Sequence, residues 1–325
     1  MMKSIFITRR IPDIGINMLM GKVNVEIFEK DEPISYIELI DRVKDKDGIL
    51  SMLTDRIDAE VMNKALKLKI ISNYAVGYNN IDVQTATRKN IIVTNTPGVL
   101  TDATADLTLA LLLSLVRHIP AGDRYMREDR FNGWAPMLLL GTELKDKILG
   151  IVGMGRIGLE VARRSIGFKM KCIYNNIHRV SSNIEKELRI EFKSLKEVFR
   201  ESDFISLHVP LTPENNHMVD EHLLKLMKPT AYLINTARGE LIDEIILIKV
   251  LKAHKIAGAA IDVFEGEPCV NSELYDLDNL VMVPHIGSAT VETRNRMAQM
   301  AAQNLLDGLE GKKPELMVNP EVFKQ

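Results

Sequence analysis

Short apolar runs alternate with segments of helical periodicity along almost the whole chain. In its early part, the runs that predict buried strands are Ser4–Thr8, Val23–Phe28, Gly48–Leu53, Lys69–Ala75 and Ile91–Asn95. Helical patterns separate these runs, such as Ala59–Leu66, which follows the capping residue Asp58. Strands that alternate with helices in this way are typical of a parallel α/β sheet.

A second series of the same kind begins near Lys147. Its predicted strands are Ile148–Val152, Lys169–Tyr174, Asp203–Val209, Ala231–Asn235, Gly258–Phe264 and Leu280–Val283. Shorter helices lie between them, and two long helices, Asp102–His118 and Thr290–Leu309, flank the series. The pattern predicts an α/β protein with two Rossmann-like or flavodoxin-like domains, each built on a parallel sheet, and a cleft between them.

The composition narrows the class of protein. The chain has 325 residues, of which 46% are hydrophobic and 26% charged, which suits about two folded domains and excludes a disordered chain. A net charge of -2 argues against a nucleic-acid partner, and no apolar run is long enough to predict a membrane span. The only cysteines, Cys172 and Cys269, form no C-x-x-C pair, so we expect no disulfide framework and no metal site. The first residues lack a signal-peptide pattern, which favours the cytoplasm.

A glycine-rich turn follows the predicted strand Ile148–Val152. It contains Gly153, Gly155, Arg156, Ile157 and Gly158 in the spacing G-x-G-x-x-G, and a helical pattern follows it. The glycines allow a tight turn, close approach of a pyrophosphate and close packing of helix on strand, and the helix N-terminus attracts phosphate. A glycine turn without a ligand is the alternative, but the strand–turn–helix setting favours a dinucleotide site.

The end of the next strand bears on the choice of coenzyme. An acidic residue there binds the ribose hydroxyls of NAD and repels the 2′-phosphate of NADP. Asn175 stands at that position, followed by Asn176, Ile177, His178 and Arg179, of which Arg179 and His178 could contact a phosphate. The sequence therefore favours NADP(H) over NAD(H), although a polar turn that accepts either coenzyme fits the same residues.

Three polar segments follow later predicted strands, at the sheet edge where open α/β proteins bind ligands. They are Ile234–Gly239, Asp262–Pro268 and Pro284–Thr290. Together with Ala75–Asp82, Asn95–Val99 and Gly133-Trp134-x-Pro136, these segments resemble the D-isomer-specific 2-hydroxyacid dehydrogenase family over essentially the whole chain. Within that family the sequence is most similar to the glyoxylate/hydroxypyruvate reductases.

The resemblance implies three catalytic residues. Arg238 would hold the carboxylate and keto oxygen of the substrate, because a guanidinium makes paired charge-assisted hydrogen bonds. His285 would donate a proton to the keto oxygen, and Glu267 would orient and stabilise the protonated ring. A surface ion pair for Arg238 and a solvated loop carboxylate for Glu267 are the structural alternatives.

The resemblance also implies binding residues. Besides the glycine loop and residues 175–179, those expected at the coenzyme are Thr104, Thr236, Ala237, Arg238, Asp262, His285 and Gly287. Asp262 would accept a hydrogen bond from the nicotinamide amide, or alternatively only cap the next turn. Val76 and Gly77 would offer N–H groups to the substrate carboxylate, and Trp134 would reach the partner subunit's active site or form a plain dimer contact. NADP-using reductases of this type often carry Ser-Arg at the strand end, where this chain has Asn176-Ile177.

These observations predict a substrate-binding domain of residues 1–99 and 288–325 and a coenzyme domain of residues 100–287. The expected reaction is reduction of glyoxylate or hydroxypyruvate to the D-2-hydroxy acid. D-3-phosphoglycerate dehydrogenase, another D-2-hydroxyacid dehydrogenase and a dinucleotide-sensing, corepressor-like binding protein are the alternatives. The apolar, aromatic segment Arg117–Thr142, read as an extended loop, predicts a homodimer because a monomer would expose it.

Overall fold

The computed structural model describes residues 2–323, and the chain divides into two compact units. One unit combines the residues up to Leu100 with those from Ser288 onward, and the other is Thr101–Gly287. Each unit contains one sheet in which every pair of neighbouring strands is parallel. The predicted α/β class with two parallel sheets is confirmed.

The first unit is built on a five-stranded sheet. Its strands are β1 (Ser4–Ile7), β2 (Asn24–Ile27), β3 (Gly48–Ser51), β4 (Ile70–Asn73) and β5 (Ile92–Thr94). Their order is β2-β1-β3-β4-β5, so the chain reverses its direction across the sheet between β1 and β3. The loops that follow β1, β3, β4 and β5 therefore share the carboxyl edge of the sheet, where open α/β sheets bind ligands.

Helices cover both faces of this sheet. They are α1 (Asp13–Leu19), α2 (Tyr36–Arg42), α3 (Ala59–Lys64), α4 (Val83–Arg88) and, from the C-terminal part, α12 (Val291–Leu309). On one face α12 places Ala301 and Leu305 in the core together with α1. On the other face α2 and α3 contribute Leu39, Val61 and Met62. Burial on both faces explains why the strands read as nearly continuous apolar runs.

The second unit is built on a seven-stranded sheet. Its strands are β6 (Ile148–Val152), β7 (Lys171–Asn175), β8 (Ile190–Phe192), β9 (Phe204–Leu207), β10 (Tyr232–Asn235), β11 (Gly258–Ile261) and β12 (Leu280–Met282). The order is β12-β11-β10-β9-β6-β7-β8, so the direction of the chain across the sheet reverses between β6 and β9. A crevice for ligands is expected at the carboxyl ends of these two strands.

The helices of the second unit lie on both faces of its sheet. They are α5 (Thr101–Val116), α6 (Ile119–Arg127), α7 (Arg156–Gly167), α8 (Ser182–Leu188), α9 (Leu195–Glu201), α10 (Glu221–Leu224) and α11 (Glu244–Lys252). Single 3-10 turns occur at Pro213–Asn215, Gly239–Leu241, Ser272–Leu274 and, in the first unit, Pro320–Phe323. Within the described residues, no single helix has the length and apolarity to cross a membrane; α5 and α6 pass such a test only as a pair bent by 61°.

Two departures from the sequence-based elements concern whole elements and not only their ends. The short strand β8 was not predicted, because its three residues alternate around the exposed Glu191 and form no apolar run. The segment Arg117–Thr142 is not one extended loop, since Ile119–Arg127 forms α6. None of the residues of α6 is buried.

Candidate active site

The glycine-rich turn lies at the carboxyl end of β6, beside the crevice of the second sheet. Gly153 has a φ of +98°, and a Cβ atom there would lie 2.6 Å from the backbone carbonyl of His208, which follows β9. A Cβ on Gly158 would lie 2.2 Å from the carbonyl oxygen of Gly153. Both positions therefore require glycine, one for backbone conformation and contact and the other for contact alone.

The start of α7 leaves room for an anionic ligand. Gly155 precedes the helix, makes no side-chain cap, and has no atom within 4 Å of where its Cβ would stand. The N–H groups of Arg156, Ile157 and Gly158 form the first turn, where helical N–H groups have no partner within the helix. This open, donor-rich end fits the pyrophosphate of a dinucleotide.

At the end of β7, three of the predicted coenzyme-selecting residues are hydrogen-bonded to other residues of the second unit. The Asn175 side-chain amide donates to Lys193 O at 2.9 Å, and Asn176 Oδ1 accepts from the N–H of Met154 at 3.2 Å. Arg179 is paired with Glu185, with its Nε and Nη2 donating at 2.7 and 2.8 Å. Ile177 and His178 are exposed. Sequence reasoning missed Glu185, which the turn brings back toward Arg179.

Asp262 follows β11 and folds the turn that carries His285. It is 1% exposed, and its carboxylate accepts the N–H groups of Ile286 at 2.6 Å and Gly287 at 2.8 Å. The N–H of His285 donates to the backbone carbonyl of Asp262 at 2.9 Å. Burial raises the pKa of Asp262 to about 6, against the opposing effect of these N–H donors. The carboxylate thus performs the turn-capping role that the sequence left as an alternative.

Glu267 and His285 form a direct pair. Glu267 Oε2 lies 2.7 Å from His285 Nδ1, and Glu267 Oε1 accepts the N–H of Phe264 at 2.9 Å. Burial by itself raises the pKa of Glu267, but the hydrogen bond and charge of His285 outweigh it, and the net shift is downward. An ionised carboxylate only accepts hydrogen bonds, so Nδ1 carries a proton and Nε2 is the nitrogen available for exchange.

The loop that carries Glu267 is held by residues that sequence reasoning missed. Glu244 at the start of α11 accepts the N–H of Glu265 at 3.2 Å, and His217 Nε2 lies 2.8 Å from Glu265 Oε1. Burial raises the pKa of Glu244. A buried Glu at the beginning of a helix also looks like an ordinary N-terminal acidic residue, so its sequence position gave no separate signal.

Arg238 follows β10 in a loop that is fixed by a buried amide. Asn235 is 1% exposed, and its side chain accepts the N–H of Ala237 at 3.0 Å and donates to Arg238 O at 2.7 Å. Burial lowers the pKa of Arg238, while the charges of Glu267 and Glu240 act in the opposite direction. A guanidinium has so high an intrinsic pKa that it remains charged.

Helix α5 supplies two threonines that connect these loops. Thr104 Oγ1 donates to Gly287 O at 3.2 Å, and Thr108 Oγ1 lies 3.0 Å from Thr236 Oγ1. The three threonines, Thr104, Thr108 and Thr236, are all buried. Thr108 was not predicted, and its signal was a polar residue one helical turn after Thr104 in an apolar helix.

The remaining predicted residues lie elsewhere. Val76 and Gly77 are half-buried in the loop after β4, within the first unit. Trp134 lies in the irregular segment after α6 and is 85% exposed. Within residues 2–323, no group of three or more His, Cys, Asp or Glu side chains is arranged to hold a metal ion.

Comparison with known proteins identifies the family. Residues 109–287 match the family model that describes the NAD-binding domain of the D-isomer specific 2-hydroxyacid dehydrogenases. A glyoxylate reductase of Pyrococcus furiosus is 51% identical over 100% of this chain and 97% of its own length. The chain belongs to the D-isomer-specific 2-hydroxyacid dehydrogenases. The glycine loop, Arg238, Glu267 and His285 all fall inside the matched domain, and the predicted family is confirmed.

Solved structures match this chain over nearly its whole length. A Thermus thermophilus protein has a TM-score of 0.91 and 42% identity, covering 97% of this chain and 99% of that one. An NADPH-dependent glyoxylate/hydroxypyruvate reductase of Sinorhizobium meliloti, solved with NADP and malonate, has a TM-score of 0.86 and 29% identity, with 98% of each chain covered. Family membership makes this chain a dehydrogenase that uses a nicotinamide dinucleotide, as predicted.

Proposed function

We propose that this enzyme reduces a small 2-keto acid, glyoxylate or hydroxypyruvate, to glycolate or the D-2-hydroxy acid. The observation that carries the proposal is the 2.7 Å pair of His285 and Glu267 at the sheet edge that also bears the glycine loop and Arg238. The same substrate class is supported by the Pyrococcus furiosus relative, a glyoxylate reductase, and by the Sinorhizobium meliloti relative, a glyoxylate/hydroxypyruvate reductase.

In the proposed reaction, the carbonyl gains a hydride at carbon and a proton at oxygen. The reduced nicotinamide supplies the hydride when it is bound. Arg238 orients the substrate by pairing with its carboxylate and polarising the keto oxygen. His285 donates the proton from Nε2 to that oxygen as negative charge develops there. Glu267 stabilises the protonated ring before transfer and keeps Nε2 directed at the substrate.

The binding residues follow the same scheme. The first turn of α7, with Arg156, Ile157 and Gly158, would hold the pyrophosphate of the coenzyme. Thr104 would lie near its phosphates, and Thr236, Ala237 and Gly287 would also contact the coenzyme. Asp262 would accept a hydrogen bond from the nicotinamide amide in addition to the N–H groups of Ile286 and Gly287 that it binds. Val76 and Gly77 bind the substrate carboxylate through N–H groups.

A panel of 2-keto acids tests the substrate. Glyoxylate, hydroxypyruvate, pyruvate and phosphohydroxypyruvate are each assayed with NADPH and NADH. We expect the highest kcat/KM with glyoxylate or hydroxypyruvate. A clear preference for phosphohydroxypyruvate would support the D-3-phosphoglycerate dehydrogenase alternative, and coenzyme binding without turnover of any acid would support the binding-protein alternative.

His285→Ala is expected to lower kcat by about 10²- to 10⁴-fold, because the variant lacks the general acid. Because the pKa of Glu267 is lowered, its carboxylate is charged throughout the neutral range. Glu267→Gln removes that charge and is expected to move the alkaline decline of the reduction rate toward lower pH. Both effects are measured by kcat and kcat/KM as a function of pH.

The matched control for these variants is Glu265→Gln, which changes a neighbouring carboxylate of the same loop that pairs with His217 instead. It is expected to leave the pH profile in place. A folded His285→Ala enzyme with unchanged turnover would contradict the assignment of the acid.

We infer that NADPH is used at least as well as NADH, because Asn175 has no charge to repel a 2′-phosphate. Asn175→Asp is expected to shift the kcat/KM ratio toward NADH by about 10- to 100-fold. Arg179→Ala is expected to impair NADPH use alone, since Arg179 would exchange Glu185 for the phosphate. Arg163→Ala, an arginine of α7 paired with Glu160 and Glu187, is the control. A tenfold preference of the wild type for NADH would refute the inference.

We also propose a homodimer formed through the coenzyme domains by α6 and the segment after it. This surface exposes Met126, Trp134, Met137 and Leu140 by 58%, 85%, 77% and 60%. Sedimentation at micromolar concentration is expected to give about twice the chain mass of 36.7 kDa. Leu140→Glu should shift the enzyme toward monomer, whereas Leu66→Glu, at an exposed leucine of the first unit, should not. A monomeric wild type would refute the dimer.

A further inference from the structure

Two asparagine side chains of the first unit bind the backbone of the Val76–Tyr78 loop. Asn95, which follows β5, donates its side-chain amide to Val76 O at 2.7 Å. Asn73, the last residue of β4, donates its amide to Gly77 O at 2.8 Å. The two residues thereby fix successive carbonyl groups of one loop to the carboxyl edge of the sheet.

The carbonyl of the preceding residue is fixed as well. Ala75 O accepts the N–H of Thr96 at 2.9 Å, so the adjacent residues Asn95 and Thr96 hold the carbonyls of Ala75 and Val76. In a trans peptide the C=O of one residue and the N–H of the next point in opposite directions. The N–H groups of Val76 and Gly77 therefore both point away from the Asn95-Thr96 segment, and that of Tyr78 points away from Asn73.

The orientation of the Asn73 amide is itself determined. Asn73 is fully buried, and the hydroxyl of Ser51 donates to its Oδ1 at 3.0 Å, which leaves Nδ2 directed at Gly77 O. At the far end of the loop, Asn80 Nδ2 donates to Asp55 O at 2.9 Å. Within the described part of the first unit, the N–H groups of Val76, Gly77 and Tyr78 donate to no other group of that unit.

We propose that Asn95 and Asn73 are positioning residues, which hold the Val76–Tyr78 backbone in the orientation that lets its N–H groups bind the substrate carboxylate. The inference rests on the proposed function, in which this loop binds that carboxylate. Donors that are fixed before the anion arrives need no reorganisation on binding, and hydrogen bonds to a charged group are the stronger kind. Neither asparagine touches the substrate in this scheme, since each acts through the peptide that it holds.

Asn95→Ala removes one anchor at a half-buried position, and Asn73→Ala removes the other. Because a carboxylate contact is made both before and during hydride transfer, its loss is expected to raise KM rather than lower kcat. For Asn95→Ala we expect KM for glyoxylate to rise about 10- to 100-fold with kcat within about threefold. The dissociation constant of oxamate, an unreactive small carboxylate, should rise in parallel, while that of the coenzyme stays unchanged.

Asn319→Ala is the matched control. Asn319 is also a fully buried amide of the first unit, but it binds the backbone around β5, accepting from the N–H of Val93 at 2.8 Å and donating to Ile91 O at 2.9 Å. Its loss is expected to lower the Tm without changing KM by more than about twofold, since one buried hydrogen-bonding group typically affects stability alone. Asn95→Gln, which keeps an amide, is expected to recover part of the lost affinity.

These experiments distinguish failure of the positioning role of the asparagines from failure of the proposed function. A folded Asn95→Ala enzyme whose KM and oxamate affinity match those of the wild type overturns the positioning role alone, as does a fall in kcat at unchanged KM. The Asn95→Ala result decides the matter even if Asn73→Ala fails to fold. A wild-type protein that neither reduces a 2-keto acid nor binds oxamate overturns the proposed function and the carboxylate cradle together.

Discussion

The hydrogen bonds of the buried Asp262 carboxylate are the interaction on which the turn that carries His285 depends. Asp262 directly follows β11, and both of its carboxylate oxygens accept N–H groups of the turn after β12. The backbone carbonyl of Asp262 accepts the N–H of His285. The ends of two neighbouring strands are thereby joined. This junction helps to fix the turn that carries His285, whose Nδ1 lies 2.7 Å from Glu267.

The two acidic residues near this junction, Asp262 and Glu267, have pKa values that are shifted in opposite directions. Asp262 is nearly inaccessible, and burial dominates, so its pKa rises to about 6 despite the N–H donors. Glu267 is less buried and faces His285 and Arg238, so attraction dominates and its pKa falls. As pH falls, Asp262 therefore takes up a proton first and Glu267 keeps its charge longest. The two carboxylates thus have different partners: Asp262 binds backbone N–H groups, and Glu267 hydrogen-bonds the imidazole of His285.

The sequence predicted the features that depend on local pattern. Burial on both faces made the strands recognisable as apolar runs. The glycine loop was recognisable because its spacing is local, with Gly153 at a positive φ and Gly158 packed against the carbonyl of Gly153. The predicted strand Lys69–Ala75 was too long, since Tyr74 and Ala75 are buried but already belong to the loop after β4. Apolarity reports burial and not the strand hydrogen bonds, so it cannot mark where the sheet ends.

Contacts between separate loops were beyond such reasoning. Arg179 looked available for a phosphate because its pairing with Glu185 depends on how the turn after β7 folds back onto α8. In the sequence, Asn73 stood inside the predicted strand Lys69–Ala75, and Asn95 began one of the segments that carry the family resemblance, with no role of its own. Their shared effect appears only when β4 and β5 lie side by side, because the pairing of these strands brings both amides beneath one loop.

In the proposed function, the two units bind anions by different physical means. In the second unit the first turn of α7 leaves its N–H groups unpaired because a helix cannot satisfy them, and the helix dipole adds partial positive charge. In the first unit no helix begins at Val76, so the N–H groups need another constraint on their direction. Thr96, Asn95 and Asn73 provide this constraint by binding the carbonyls of the loop. Because the C=O and N–H of a planar trans peptide point in opposite directions, fixing the carbonyl also fixes the direction of the N–H group. The N–H groups of such a loop are oriented without a helix. Removal of one anchor is expected to release only the peptide that this anchor holds.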